Sequence, residues 1–217
     1  KAADYRALLT LLFLLTKTMK SKGVIALESH IEKPHDSTIF NRFPKIVKDH
    51  FALDFICDTL RMMTMNLEDP HQIEDAMEKQ LEKHHHEAQA PAHALQNMAD
   101  ALPALGIVAA VLGVIKTMGA ITEPPEILGG MIGGALVGTF LGVWVSYGFL
   151  GPIAAKAQAV YNLEIKYLHC IKAALLAHMH GSPPAVSVEF ARKALHSHER
   201  PTFYEVEDAV GALPPPG

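Results

Sequence analysis

From Ile127 to Ala155 the chain runs for 29 residues without a charged side chain. A helix needs about 20 such residues to cross a bilayer, so this stretch fits a membrane span with some tilt. A second uncharged run, Ala101–Ile115, precedes it between Asp100 and Lys116. Alone, that run covers about 22 Å at the helical rise, short of the roughly 30 Å of hydrocarbon. If Lys116 snorkels toward a headgroup region, the span extends to Ile121. Between the two runs lies "TEPPE", whose prolines stop one helix and start the next. The expected fold is all-α, with a transmembrane helical hairpin spanning about 101–121 and 127–153. The competing reading is a helical hairpin buried in a soluble protein, which the length of the second run disfavours.

The flanks orient the hairpin. Lys79 and Lys83 precede it, Lys156 and Lys166 follow it, and the turn carries Glu123 and Glu126. By the positive-inside rule both ends are cytoplasmic and the turn faces outward. This divides the chain into a cytoplasmic helical region (1–96), the hairpin (97–155), and a cytoplasmic helix with a C-terminal tail (156–217).

Glycine is a poor helix former, about 1 kcal/mol worse than alanine, yet the second span is rich in it. Gly130, Gly134, Gly138 and Gly142 recur at four-residue spacing. Close van der Waals packing carries helix association in lipid, and small residues permit it. The ladder therefore marks a groove for a neighbouring helix, whether the first span, another copy of the chain or another protein.

Neither span contains Asp, Glu, His or Arg. Ion pathways normally need an ionisable group within the membrane, and the spans offer only the hydroxyls of Thr117, Thr139, Ser146 and Tyr147. A conducting assembly would take its carboxylate from a partner or from a part of the protein outside this chain. Thr139 could line such a path, although a helix hydroxyl more commonly bonds back to its own backbone.

Residues 1–100 read as helical throughout, with breaks at Pro34, Pro44 and Pro70, and "FALDFICDTLRMMTMNL" places Asp54, Asp58 and Arg61 opposite an apolar face. The chain opens in mid-helix, and the apolar run Leu8–Leu15 is too short to span a bilayer; the expectation is a longer protein with a part preceding Lys1. Lys17, Lys20 and Lys22 stand near Glu28 and Glu32. Lys20 and Glu28, eight residues apart, would share one side of a helix, and ordinary surface charge is the simpler explanation. Pro103 opens the first span, where a proline is routine. Pro152 is followed by helix-like sequence and kinks a helix rather than ending it. Both sit at the cytoplasmic interface, where paired kinks would suit a hinge. The tail begins a short helix and ends in a proline-rich stretch.

Other classes are disfavoured. The net charge of −4 leaves no basic surface for nucleic acid. Cys57 and Cys170 form no CxxC pattern and read as buried thiols. His84, His85 and His86 are consecutive, so on a helix they diverge by about 100° and do not converge on a metal. Paired carboxylates, a nucleophile with its base, or a phosphate loop do not stand out, so neither an enzyme nor a cofactor or metal site is expected.

Several strings together resemble one family: "ALESHIEKP", "LDFICDTLR", "LPALGIVAAVLGVI", "LVGTFLGVWVSYGFLGPIA" and "SVEFARKALHSHERPTF". In order and over nearly the whole chain they are similar to MotA, the flagellar stator subunits of the MotA/TolQ/ExbB proton channel family. The resemblance implies four membrane helices with a large cytoplasmic loop between the second and third, so that this chain begins at the end of the second. It implies residence in the bacterial inner membrane and a homopentamer around a MotB-type subunit that supplies a membrane Asp. Ion flow would drive rotation that pushes on the rotor protein FliG. By motif, Pro103 and Pro152 match the family's conformational prolines and Thr139 its ion-path threonine. Ala110 stands where sodium-driven relatives typically have Thr, which favours protons. Glu28 matches the rotor-facing acid. The partner base is usually Arg where this chain has Lys20; lysine keeps the charge without the guanidinium fork, and Lys22 could share the role. An ExbB/TolQ-type energy-transducing subunit is the alternative, against which the large cytoplasmic segment weighs. A passive membrane scaffold is the reading from another class.

Overall fold

The computed structural model describes residues 2–65 and 69–213. The proline-rich end of the tail lies outside the described residues. Among the described residues all regular structure is helical, in two units: 1–84 with 163–217, and 85–162.

The first unit is organised by α1 (Ala2–Lys22). Leu8, Leu9, Leu11, Leu12 and Leu15 are each fully buried. These five leucines line one side of the helix, and buried Thr10, Leu14 and Thr18 carry the covered surface around most of it, as in a core helix. Thr10, Thr16 and Thr18 share this interior because each hydroxyl donates to a carbonyl one turn back, of Arg6, Leu12 and Leu14, at 2.8 Å. Gly23 then ends α1 at φ +83°, a conformation glycine adopts without a Cβ clash.

Short helical turns follow, broken at Gly23 as well as at the expected Pro34 and Pro44. They include α2 (Glu28–Glu32) and α3 (Pro44–Val47). Pro34 and Pro44 each sit at a helix start, where the missing N–H costs nothing. In α4 (His50–Thr64) the Asp49 carboxylate caps the start by accepting from the Ala52 N–H at 3.1 Å. Leu53, Phe55, Ile56 and Leu60 are buried, while Arg61 points outward to Asp58 (2.6 Å) and to Glu32 of α2 (2.9 Å). The long α5 (Pro70–Gly119) begins in this unit.

The remaining helices are α6 (Pro125–Val145), α7 (Gly151–Met179), α8 (Pro184–Lys193) and α9 (Phe203–Gly211). α1 packs against α8 and α9, and Thr202 with Glu205 forms a capping box at the start of α9. Cys57 and Cys170 are both buried, and burial pushes the Cys57 thiol up to about 12. His84 stacks on Phe51 with ring centroids 3.5 Å apart. His85 instead faces Gln89, at 2.8 Å.

Lys172 of α7, largely buried, bridges Glu74 (3.3 Å) and Glu78 of α5. The hydrogen bond from Lys172 holds Glu78 below its ordinary 4.5, and that from Arg192 does the same for Glu189. A carboxylate with a depressed folded-state pKa contributes stability above its unfolded pKa and loses it as pH falls through the folded value. The melting temperature is therefore expected to drop as pH falls below about 4.5, and Lys172→Met should flatten part of that drop. Melting scans of parent and variant with identical acid slopes would reject this.

The second unit holds residues 85–119 of α5, all of α6, and the start of α7. Between α6 and α7, Ser146–Leu150 forms a widened π turn. α5 ends at Gly119 and α6 opens at Pro125, so of the two prolines of "TEPPE" Pro124 caps the helix and Pro125 is its first residue. Among the described residues, the helices Pro70–Gly119 and Pro125–Met179 are long and apolar enough to cross a membrane. Large apolar side chains such as Leu105, Leu112, Phe140 and Trp144 are more than half exposed. Contiguous apolar surface on this scale suits lipid or a partner rather than water.

Candidate functional site

The site of greatest chemical interest is the face between α5 and α6. Pro103 lies inside α5, more than thirty residues past its start, and not at a helix start as the sequence suggests. The first span is the continuation of one long helix that starts at Pro70. A proline lacks an N–H and so leaves free the carbonyl four residues before it, here that of Ala99. The Ser146 hydroxyl donates to that carbonyl at 2.6 Å.

Three further contacts fix how close the helices lie. A Cβ added to Gly142 would fall 2.6 Å from the Leu102 carbonyl oxygen and 3.2 Å from the Gly106 Cα. One added to Gly138 would fall 2.8 Å from the Ala109 Cβ. One added to Gly113 of α5 would fall 2.2 Å from the Ala135 Cβ. Gly130 and Gly134 have open space around them. The ladder therefore divides: Gly138 and Gly142 lie against α5, and Gly130 and Gly134 do not. Gly106 and Gly113, which let α5 approach from its side, were missed. Their seven-residue spacing, with small Ala109 and Ala110 between, was the available signal.

Thr139 departs from the common pattern of helix hydroxyls. Its hydroxyl crosses to donate to the Gly106 carbonyl at 3.1 Å, because the glycine contacts bring that carbonyl within reach. With its proton so committed, the oxygen keeps lone pairs that can accept from elsewhere. Ala110 lies about one turn further along α5, half-buried. A shallow apolar groove of about 290 Å³ runs past Gly106, Gly138 and Gly142.

Pro152 is exposed, in the first turn of α7. The π turn before it accommodates the ring, and there the Gly151 N–H reaches the Ser146 carbonyl. The helix runs on to Met179.

The charged cluster is in the first unit. Lys20 and Glu28 are both exposed, but they stand on separate helices. Gly23 and the turn Val24–Leu27 intervene, so the single-helix geometry read from their spacing does not apply. Lys22 is the last residue of α1. His30 is held below its ordinary pKa by burial and then by the Lys22 charge, and His178 by burial, with the Lys20 charge adding to it.

Residues 47–169 match the MotA/TolQ/ExbB proton channel family. Motility protein A of Escherichia coli is 41% identical over 214 residues, which cover 99% of this chain and 72% of that protein. Chemotaxis protein LafT of Vibrio parahaemolyticus is 38% identical over 204 residues, covering 94% of this chain and 71% of LafT. Two solved structures share the fold. C. jejuni MotAB matches with a TM-score of 0.69 at 19% identity, covering 91% of this chain and 69% of that one. The flagellar MotAB stator complex from Bacillus subtilis matches with a TM-score of 0.65 at 24% identity, covering 88% and 67%.

Proposed function

The chain belongs to the MotA/TolQ/ExbB proton channel family, and from that premise we propose that it is an ion-driven flagellar motor stator subunit. The observation that carries this reading is the 41% identity to Motility protein A across 99% of the chain. The exposed apolar surface of the second unit supports residence in the inner membrane, with the hairpin turn outward and both flanks cytoplasmic. A channel-type role, rather than catalysis, follows from the family.

The ion path needs a carboxylate that neither span contains. In this reading a MotB-type subunit supplies it as a membrane Asp, at the centre of a homopentamer of this chain. Thr139 lines the path, and its bond to Gly106 favours that role because the oxygen is left as an acceptor for a passing proton donor. Ala110, one turn along α5 from Gly106, favours protons over sodium. Pro103 and Pro152 carry conformational change out of the membrane. Gly138 and Gly142 hold the hairpin together, and Gly130 and Gly134 leave room for a neighbouring helix. Exposed Lys20, Lys22 and Glu28 meet the rotor protein FliG, where charge steers and orients a partner.

The test is swimming in a strain lacking its own stator subunit, complemented with the full-length parent gene. The parent is expected to restore swimming. Pro152→Ala, Thr139→Ala, Lys20→Glu and Glu28→Lys are expected to fail or slow it while inserting to parental amounts. Swimming should collapse with a proton uncoupler and ignore the sodium gradient. A parent that inserts but never restores motility, while iron–siderophore uptake depends on it, would replace this reading with an ExbB/TolQ-type energiser.

A further inference from the structure

Ser146 occupies a place in the hairpin that ordinary helix chemistry does not explain. Buried serine and threonine hydroxyls in helices usually bond to a carbonyl one turn back. Thr10, Thr16, Thr18, Thr59 and Thr117 of this chain all do so. Ser146 does not. Its own backbone N–H already reaches the Gly142 carbonyl, and its hydroxyl leaves the helix to donate to Ala99 of α5 at 2.6 Å.

The acceptor is not an arbitrary carbonyl. It is the one that Pro103 strips of its helical N–H partner. Ala99 and Ser146 are each only 1% exposed, so neither water nor a headgroup reaches the pair. A polar group left unpaired in such surroundings is expensive, and hydroxyls from neighbouring helices are a recognised way to satisfy it. The donor is equally particular. Ser146 is the first residue of the π turn that absorbs Pro152, and its carbonyl accepts the wide bond from Gly151. One residue thus serves both prolines: its hydroxyl closes the gap at Pro103, and its carbonyl closes the turn at Pro152.

We propose that Ser146 is a positioning residue that links the two prolines, so that the backbone at Pro103 and the turn at Pro152 move together. A π turn contains one residue more than an α turn, and its loss or migration turns the following backbone relative to the preceding one. Any such change at Ser146–Leu150 carries the Ser146 hydroxyl with it. Either the Ala99 carbonyl follows or the bond breaks and leaves a buried acceptor unpaired. Thr139, seven residues earlier, makes a second crossing bond to Gly106 of α5, which keeps the two helices in register while the proline end moves. The inference rests on the stator reading above, since it assigns the prolines their coupling role.

The experiment is a double-mutant cycle on the full-length protein with its MotB-type partner, read by melting temperature in detergent and by swimming speed at parental membrane levels. Ser146→Ala should lower the melting temperature and slow swimming severalfold, as loss of a buried hydrogen bond predicts. Ser146→Thr, which keeps the hydroxyl, should recover most of both. Pro103→Ala restores an N–H aimed at the Ala99 carbonyl, so in that background Ser146→Ala should add no further fall in melting temperature. Equal melting losses in both backgrounds would overturn the link, and so would a melting loss with unchanged swimming speed. Should the parent itself fail to restore swimming, the stator reading falls, whereas the melting cycle judges the bond in either case.

Discussion

Gly142→Ala will destabilise the hairpin, while the same substitution at Gly134 will stabilise it or leave it unchanged. The two positions share a spacing and a helix, and in water alanine is the better helix former by about 1 kcal/mol at both. Their surroundings differ. At Gly142 the new methyl would stand 2.6 Å from a backbone oxygen of Leu102 and 3.2 Å from the Gly106 Cα. Neither is the free end of a side chain, so relief requires α5 and α6 to separate. That separation also stretches the crossing bonds of Thr139 and Ser146. Overpacking of this kind costs about 1–3 kcal/mol, which exceeds the propensity gain and sets the sign. At Gly134 the new methyl meets open space within this chain, so α5 does not oppose the propensity gain, and a neighbouring helix has room to accept one methyl. Melting temperatures of the detergent-purified full-length protein measure both. Equal shifts would show that the close approach of α5 to α6 does not control stability.

Leu12→Ala will cost most of the margin of the first unit, and Leu112→Ala will cost almost nothing. Leu12 is fully buried in the core that α1 shares with α8 and α9. Truncating a buried leucine loses its transfer free energy and leaves a cavity, about 2–5 kcal/mol in all. Leu112 is 62% exposed on α5. In the membrane reading proposed above its surroundings are as apolar as itself, and truncation there should change stability by less than about 0.5 kcal/mol. Swimming should follow the same order through abundance, since an unfolded fraction is cleared in cells. Similar costs at the two leucines would overturn the division into a packed unit and a lipid-facing one.

The all-helical membrane class was legible in the chain because lipid leaves few alternatives. Without water, every backbone group must be satisfied inside a helix or a closed barrel, so a 29-residue gap in charge already restricts the answer. The "TEPPE" turn follows from proline chemistry alone, and the run of leucines at the start of α1 is buried in the first unit. Local rules also place Pro44 and Pro70 at helix starts.

What local rules could not supply is register between elements. Lys20 and Glu28 share a helical side only if the helix continues, and Gly23 at φ +83° ends it. Pro103 reads as a helix start until α5 is seen running through it from Pro70. Four glycines at identical spacing are equivalent in sequence, yet two touch α5 and two meet nothing, because a four-residue spacing drifts around the helix by about 40° per step and the contact passes from Gly138 to Ala135. The partners of Thr139 and Ser146 lie 33 and 47 residues away. A hydrogen bond across helices depends on their rotation and rise to within an ångström, and side-chain periodicity fixes neither. The sequence by itself determined which segments are helical and apolar; only the tertiary structure decided which carbonyl each hydroxyl would reach, because packing of one helix on another sets that geometry.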